Sequence, residues 1–117
     1  RTKSPPPDPL AASMSEETLQ GKVLVRARTF GWRSAHFRPA MTSHGWRTAV
    51  AGDGKGFPDL VLARPPRIIF AEAKSQKGRL TEDQRAWQDI LCACPGVETY
   101  LWRPSDWLDG SIEEVLL

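Results

Sequence analysis

Residues 59–74 read DLVLARPPRIIFAEAK, two apolar runs separated by two prolines between arginines. Nothing else in the chain constrains the fold as tightly. Proline fixes φ and offers no amide hydrogen to a ladder, so Pro65 and Pro66 end one strand and turn the chain before the next. The flanking runs are rich in β-branched residues and read as strands of a buried sheet. Antiparallel pairing about the prolines sets Ala63 against Ile68, Val61 against Phe70 and Asp59 against Glu72. Directly opposed residues project to one side, with Cβ atoms about 4.5–5.5 Å apart. Lys74, two residues past Glu72, emerges on that side too. Two carboxylates and an ammonium group therefore gather at the open end of the hairpin.

The rest of the chain supplies elements to pack on this ribbon. A first helix is expected from near Ser15, with Ser13 and Glu16 at capping-box spacing. Leu19, Val23, Ala27 and Phe30 form an apolar stripe of helical period. Glu16 extends that stripe, with Gln20 one turn behind it, whereas Glu17 points about 100° away. SAHFRPA (34–40) reads as a short strand, followed by a glycine-rich basic loop reaching Gly56. The GDGKG within that loop lacks the spacing of a phosphate loop, which excludes a nucleotide cofactor. TEDQRAWQDILCAC is a second helix, with Thr81 and Gln84 as a capping box and a buried face of Ala86, Trp87, Ile90, Leu91 and Cys94. Pro95 and Gly96 stop it. VETYLW is a further strand, and a last helix begins at Ser111, boxed with Glu114. Residues 1–13, rich in proline and polar residues, read as a disordered leader or linker, and Met14 directly precedes the first helix signal. The expected domain is 14–117.

A chain of 117 residues holds one such domain. Its apolar runs fall far short of the roughly 20 residues a membrane helix needs, so no membrane partner is expected. Cys92 and Cys94 lie two apart on a helix and point to different sides, which argues against a disulfide and for a reducing, cytoplasmic setting. Net charge is only +2. Between Gly31 and Pro58, however, Arg33, Arg38, Arg47 and Lys55 face a single acid, Asp53, with His36 and His44 in the same segment. Either a phosphate-backbone track or a solvated loop accounts for this charge.

Like charges about 4 Å apart repel by roughly 1 kcal/mol in water and by several times more when partly buried. One lysine offsets part of this; a divalent cation held by carboxylate oxygens offsets more. An ordinary Lys–Glu pair at a strand end is the competing explanation. A first helix packed on the sheet brings Glu16 toward the hairpin mouth as a third acid, which favours the metal. His36 is within reach of the same cleft, but a lone histidine is more often structural, and it is not assigned as a ligand.

The order helix–strand–strand–strand–helix–strand, with PD opening one strand and EAK closing the next, resembles the PD-(D/E)XK nuclease superfamily. GFPDLVL, EAKSQKGRLTEDQRAW and YLWRPSDW, in that order, narrow the resemblance to the VRR-NUC family of virus-type replication–repair nucleases. It implies an α/β fold: a restriction-endonuclease-like αβββαβ core, a small mixed sheet flanked by helices. It also implies phosphodiester hydrolysis of DNA dependent on Mg²⁺ or Mn²⁺. By resemblance, Asp59 and Glu72 bind the metal with the Ala73 carbonyl and Glu16, Lys74 activates water and stabilises the phosphate, and Gln84 lies near the cleft. Arg33, His36, Arg38, Arg47 and Lys55 are the candidate DNA contacts. Trp87 reads as core, not as a base-stacking platform. The family's small free-standing members resemble Holliday-junction resolvases and form homodimers. That implies a homodimer acting on branched DNA, because no helicase segment accompanies the domain. The alternatives are nicking, flap or single-strand cleavage, or a non-catalytic DNA-binding module on a nuclease fold.

Overall fold

Pro65 and Pro66 turn the chain between β4 (Leu60–Arg64) and β5 (Arg67–Ala73). These strands pair antiparallel with Ala63 opposite Ile68 and Val61 opposite Phe70, the register expected from the sequence. The computed structural model of the chain describes residues 8–37, 40–42, 45–47 and 52–117. In it β1 (Arg33–His36) lies antiparallel beside β4, and β6 (Glu98–Trp102) lies parallel beside β5, giving a mixed sheet of order β1-β4-β5-β6. A parallel partner requires a crossover, and α3 (Glu82–Cys92) supplies it. With α2 (Glu16–Thr29) ahead of the sheet, the core has the αβββαβ order expected of the fold.

The two faces of the sheet are covered differently. Leu19, Val23 and Ala27 of α2 pack with Leu60, Leu62, Ile69 and Ala71, and with Ile112 and Leu116 of α5 (Ser111–Leu116). Each is fully buried, and burying a valine, leucine or isoleucine side chain in this way contributes roughly 1.5–3 kcal/mol. On the other face Phe57 is a hub. Its ring meets Phe37, Phe70 and Trp87 edge-on, at 5.7, 5.9 and 4.9 Å between centroids. Trp87 thus packs in an aromatic cluster, and its indole N–H donates to the Asp53 carbonyl.

The turn of the hairpin is fastened to the C-terminal helix. Helix ends leave carbonyls without intrahelical partners, and arginines meet them here. The Arg64 guanidinium donates to the carbonyls of Phe30, Leu116 and Leu117, and Arg67 donates to that of Val115. Both stack on Trp32, at 4.5 and 4.9 Å from the ring centroid, and the Trp32 indole donates to Leu116. Arg67 also grips Glu98 with two bonds of 2.7 Å, which holds the Glu98 carboxyl below its ordinary range.

Several local expectations are corrected. Pro9–Ser13 form a short helix, α1, not a disordered leader: Asp8 Oδ1 accepts from the Leu10 amide and Ala11 is buried. Residues 1–7 lie outside the described residues. Ser13 therefore ends α1, and α2 is capped by Ser15, whose hydroxyl accepts from the Thr18 amide. The first strand is Arg33–His36 instead of 34–40, and the basic loop contains a separate hairpin, β2 (Ala40–Thr42) with β3 (Gly45–Arg47). The α3 capping box of Thr81 and Gln84 is present, but the helix is rotated from the expected face. Leu91 is buried and Trp87 half-buried, while Ala86, Ile90 and Cys94 are exposed. The strong ring contact of Trp87 with Phe57 sets that rotation. An unforeseen helix, α4 (Pro104–Leu108), precedes α5. Gly110, at φ 84°, caps α5 in place of a Ser111–Glu114 box, and the Ser111 hydroxyl instead donates to the Asp106 carbonyl and Asp109.

Candidate active site

The hairpin register puts Asp59, the residue before β4, across from Glu72 near the end of β5. Two neighbours fix how Asp59 arrives there. Gly56, at φ 82°, lies so close to α3 that an added Cβ would sit 2.5 Å from the Asp83 carbonyl carbon. Only glycine suits that approach and that backbone angle. Phe57 and the buried Pro58 then lock the chain entering the strand. The GFPD segment is therefore a positioning device for one carboxylate.

Glu16, in the first turn of α2, completes the group. One carboxylate oxygen from each of Glu16, Asp59 and Glu72 lies within 4.8 Å of the others. Glu17 is exposed and takes no part in this cluster. Glu72 is only 2% exposed, and its Oε1 has no hydrogen-bond partner among the described residues. Burial, reinforced by Asp59, pushes its carboxyl up to about 9. Lys74, also buried, pulls in the opposite direction through its charge, and Glu16 adds to the rise. A buried acid with an unsatisfied oxygen is costly to the fold. Three carboxyl groups converging on one point offer a hard oxygen-donor set, which fits a small divalent cation. Ala73 is buried between Glu72 and Lys74, paired with Trp102 in the sheet.

Gln20, one turn along α2 from Glu16, donates from Nε2 to Asp59 Oδ2 at 2.9 Å, and its Oε1 lies 3.1 Å from His36 Nε2. His36 thus sits beside the site through Gln20. The spacing of Glu16 and Gln20 on one helical face is the sequence signal that bears on this link. After Lys74 the chain is held by Arg103, whose Nη1 donates to the carbonyls of Ser75, Gln76 and Gly78. Gln76 and Ser105 add two reciprocal bonds. The arginine of the WRP turn was not among the expected site residues, yet it secures the loop that leaves the lysine.

The other expected site residues are more dispersed. Gln84 Oε1 accepts from the Thr81 amide, so that side chain caps α3. Lys55 forms an exposed ion pair with Asp83 at 3.5 Å. Arg33 is exposed at the end of β1 away from His36, and with Arg28, Trp32 and Ser34 it lines an open cavity of about 380 Å³. Arg38 and the Arg47 side chain lie outside the described residues.

Residues 15–103 match the VRR-NUC domain, which covers most of the chain and leaves α1, α4 and α5 outside the match. Neither a curated protein nor a solved structure matches the chain significantly. The match spans the PD and EAK strands, the glycine that seats the first of them and the crossover helix between the parallel strands, so the chain belongs to the VRR-NUC family and is a nuclease domain with DNA as its substrate.

Proposed function

We propose that the chain is a divalent-metal-dependent endonuclease, selective for branched DNA such as a four-way junction and acting as a homodimer. The observation that carries metal dependence is the convergence of Glu16 and Asp59 on a buried Glu72 whose Oε1 has no hydrogen-bond partner among the described residues. These three acids would hold Mg²⁺ or Mn²⁺, with the Ala73 carbonyl as a further donor. When bound, such an ion supplies a Lewis acid beside the phosphoryl group and makes a neighbouring water more acidic.

The chain's own residues do the rest. Lys74, buried beside the acids, brings a fixed positive charge to the scissile phosphate, where negative charge grows during displacement. A fixed charge in a poorly solvated site acts more strongly than one in water. Its loop is braced by Arg103, so the charge does not wander. Arg33 and Arg28 lie exposed on β1 and at the end of α2, and Lys55 lies exposed near α3; exposed cations of this kind grip a phosphate backbone. Cys92 and Cys94 are free and exposed, in keeping with a reducing, cytoplasmic setting.

The junction preference and the dimer rest on resemblance to free-standing junction resolvases. Two cleavage centres related by a twofold axis suit a substrate with matching symmetry. The test is a panel of labelled four-way junction, linear duplex, flap and single strand, each with Mg²⁺, Mn²⁺ or chelator. Preferred, symmetric cutting of the junction that chelator abolishes is the expected result. Equal cutting of all substrates would remove the junction preference, and cutting in chelator would remove the metal. Glu72→Ala is expected to lose cleavage and keep junction binding.

A further inference from the structure

We infer that Gln20 and His36 form a relay that positions Asp59 for metal binding. The inference rests on the metal-binding reading of the acids. A carboxylate only accepts hydrogen bonds. The Gln20 group facing Asp59 Oδ2 at 2.9 Å must therefore be its NH₂. That choice turns Oε1 toward His36, so His36 Nε2, 3.1 Å away, must carry a hydrogen. One acid thus dictates the orientation of an amide, and the amide dictates where the imidazole proton resides.

The relay matters because Gln20 holds the Asp59 carboxylate from the side of α2, while Glu72 meets it from β5. Asp59 precedes β4, so the sheet fixes its backbone through the Phe37 amide, which donates to the Asp59 carbonyl. Gln20 is a neutral donor to the Asp59 carboxylate. It occupies Oδ2 without adding charge, and a carboxylate has lone pairs to spare for an ion. An arginine or lysine there would compete electrostatically with the cation. Gln20 also joins α2, which carries Glu16, to the hairpin mouth that carries Asp59 and Glu72. His36, on β1 opposite Leu60, keeps the amide from turning over. Outer partners of metal ligands commonly change affinity by about 10–100-fold when removed.

The test is calorimetric titration of Mn²⁺ into metal-free protein. Gln20→Ala is expected to weaken Mn²⁺ binding at least about 10-fold, and His36→Phe, which removes the proton donor, by a smaller factor. His36→Gln, which restores an N–H donor, is expected to recover affinity to near wild type. The double variant Gln20→Ala with His36→Phe is expected to bind no more weakly than Gln20→Ala alone, because the imidazole acts through the amide. Multiplying losses, or Gln20→Ala within twofold of wild type, would overturn the relay. If Gln20→Ala melts below the titration temperature, Gln20→Met, of similar length and without a donor, takes its place with the same expected loss. Wild type that binds no Mn²⁺ would instead overturn the metal reading itself.

Discussion

Replacing Glu72 with glutamine removes one ionisable proton and leaves the shape of the site unchanged. In the metal-free protein the Glu72 carboxyl is pushed up to about 9 from an ordinary 4.5, chiefly by burial and then by Asp59. A carboxyl whose pKa rises on folding favours the neutral form in the fold. Its contribution is complete below about pH 4.5 and is lost as pH climbs toward 9, at about 1.4 kcal/mol per pH unit. From about pH 6 to pH 8 the wild type therefore loses roughly 3 kcal/mol that the variant, which cannot ionise, keeps. For a domain of this size that is on the order of 10 °C in Tm. Thermal melts in chelator at pH 6, 7 and 8 measure it, scored as the difference between the two proteins so that other titrations cancel. Added Mn²⁺ is expected to restore the wild type at pH 8 and leave the variant unmoved. Parallel curves in chelator would refute the buried-acid argument.

Glu16→Ala is expected to lower cleavage by at least about 100-fold while Glu17→Ala stays near wild type, read from initial rates on one DNA substrate; only the former acid lies with Asp59 and Glu72. Gly56→Ala forces a Cβ into the first turn of α3 at a positive φ, and is expected to destabilise by about 3 kcal/mol or more in urea unfolding, in the range of severe backbone strain. A double-mutant cycle of Arg67→Met and Glu98→Gln is expected to give a coupling of about 1–2 kcal/mol, more than an ordinary surface pair because the contact is bidentate and only about a third exposed.

The hairpin was legible because side-chain alternation has a period of two and a double proline leaves one turn position. Register followed from those facts, and with it the meeting of Asp59 and Glu72. Glu16 was legible as the inward acid through its phase with Leu19 and Val23. The face of α3 was not, because Ala86, Ile90 and Cys94 make as plausible an apolar stripe as Trp87 and Leu91. What decided it was Phe57, thirty residues upstream in sequence, whose ring claims Trp87. The short helices α1 and α4 and the β2–β3 hairpin have too few residues to announce themselves by periodicity. The roles of Arg64, Arg67 and Arg103 were hidden for another reason: each meets backbone carbonyls, and a carbonyl carries no residue signature.

The fastening of Arg64 and Arg67 to the last helix gives the ribbon the mechanics of tongs. Its hinge is tied down at the proline bend, and its jaws carry Asp59 and Glu72 about five residues away, some 17 Å along a strand. Slack at the hinge is felt as a change of gap at the jaws. Substitutions around Trp32 and the closing residues of the chain therefore belong with the acids when catalytic defects are sorted, although none of them reaches the substrate.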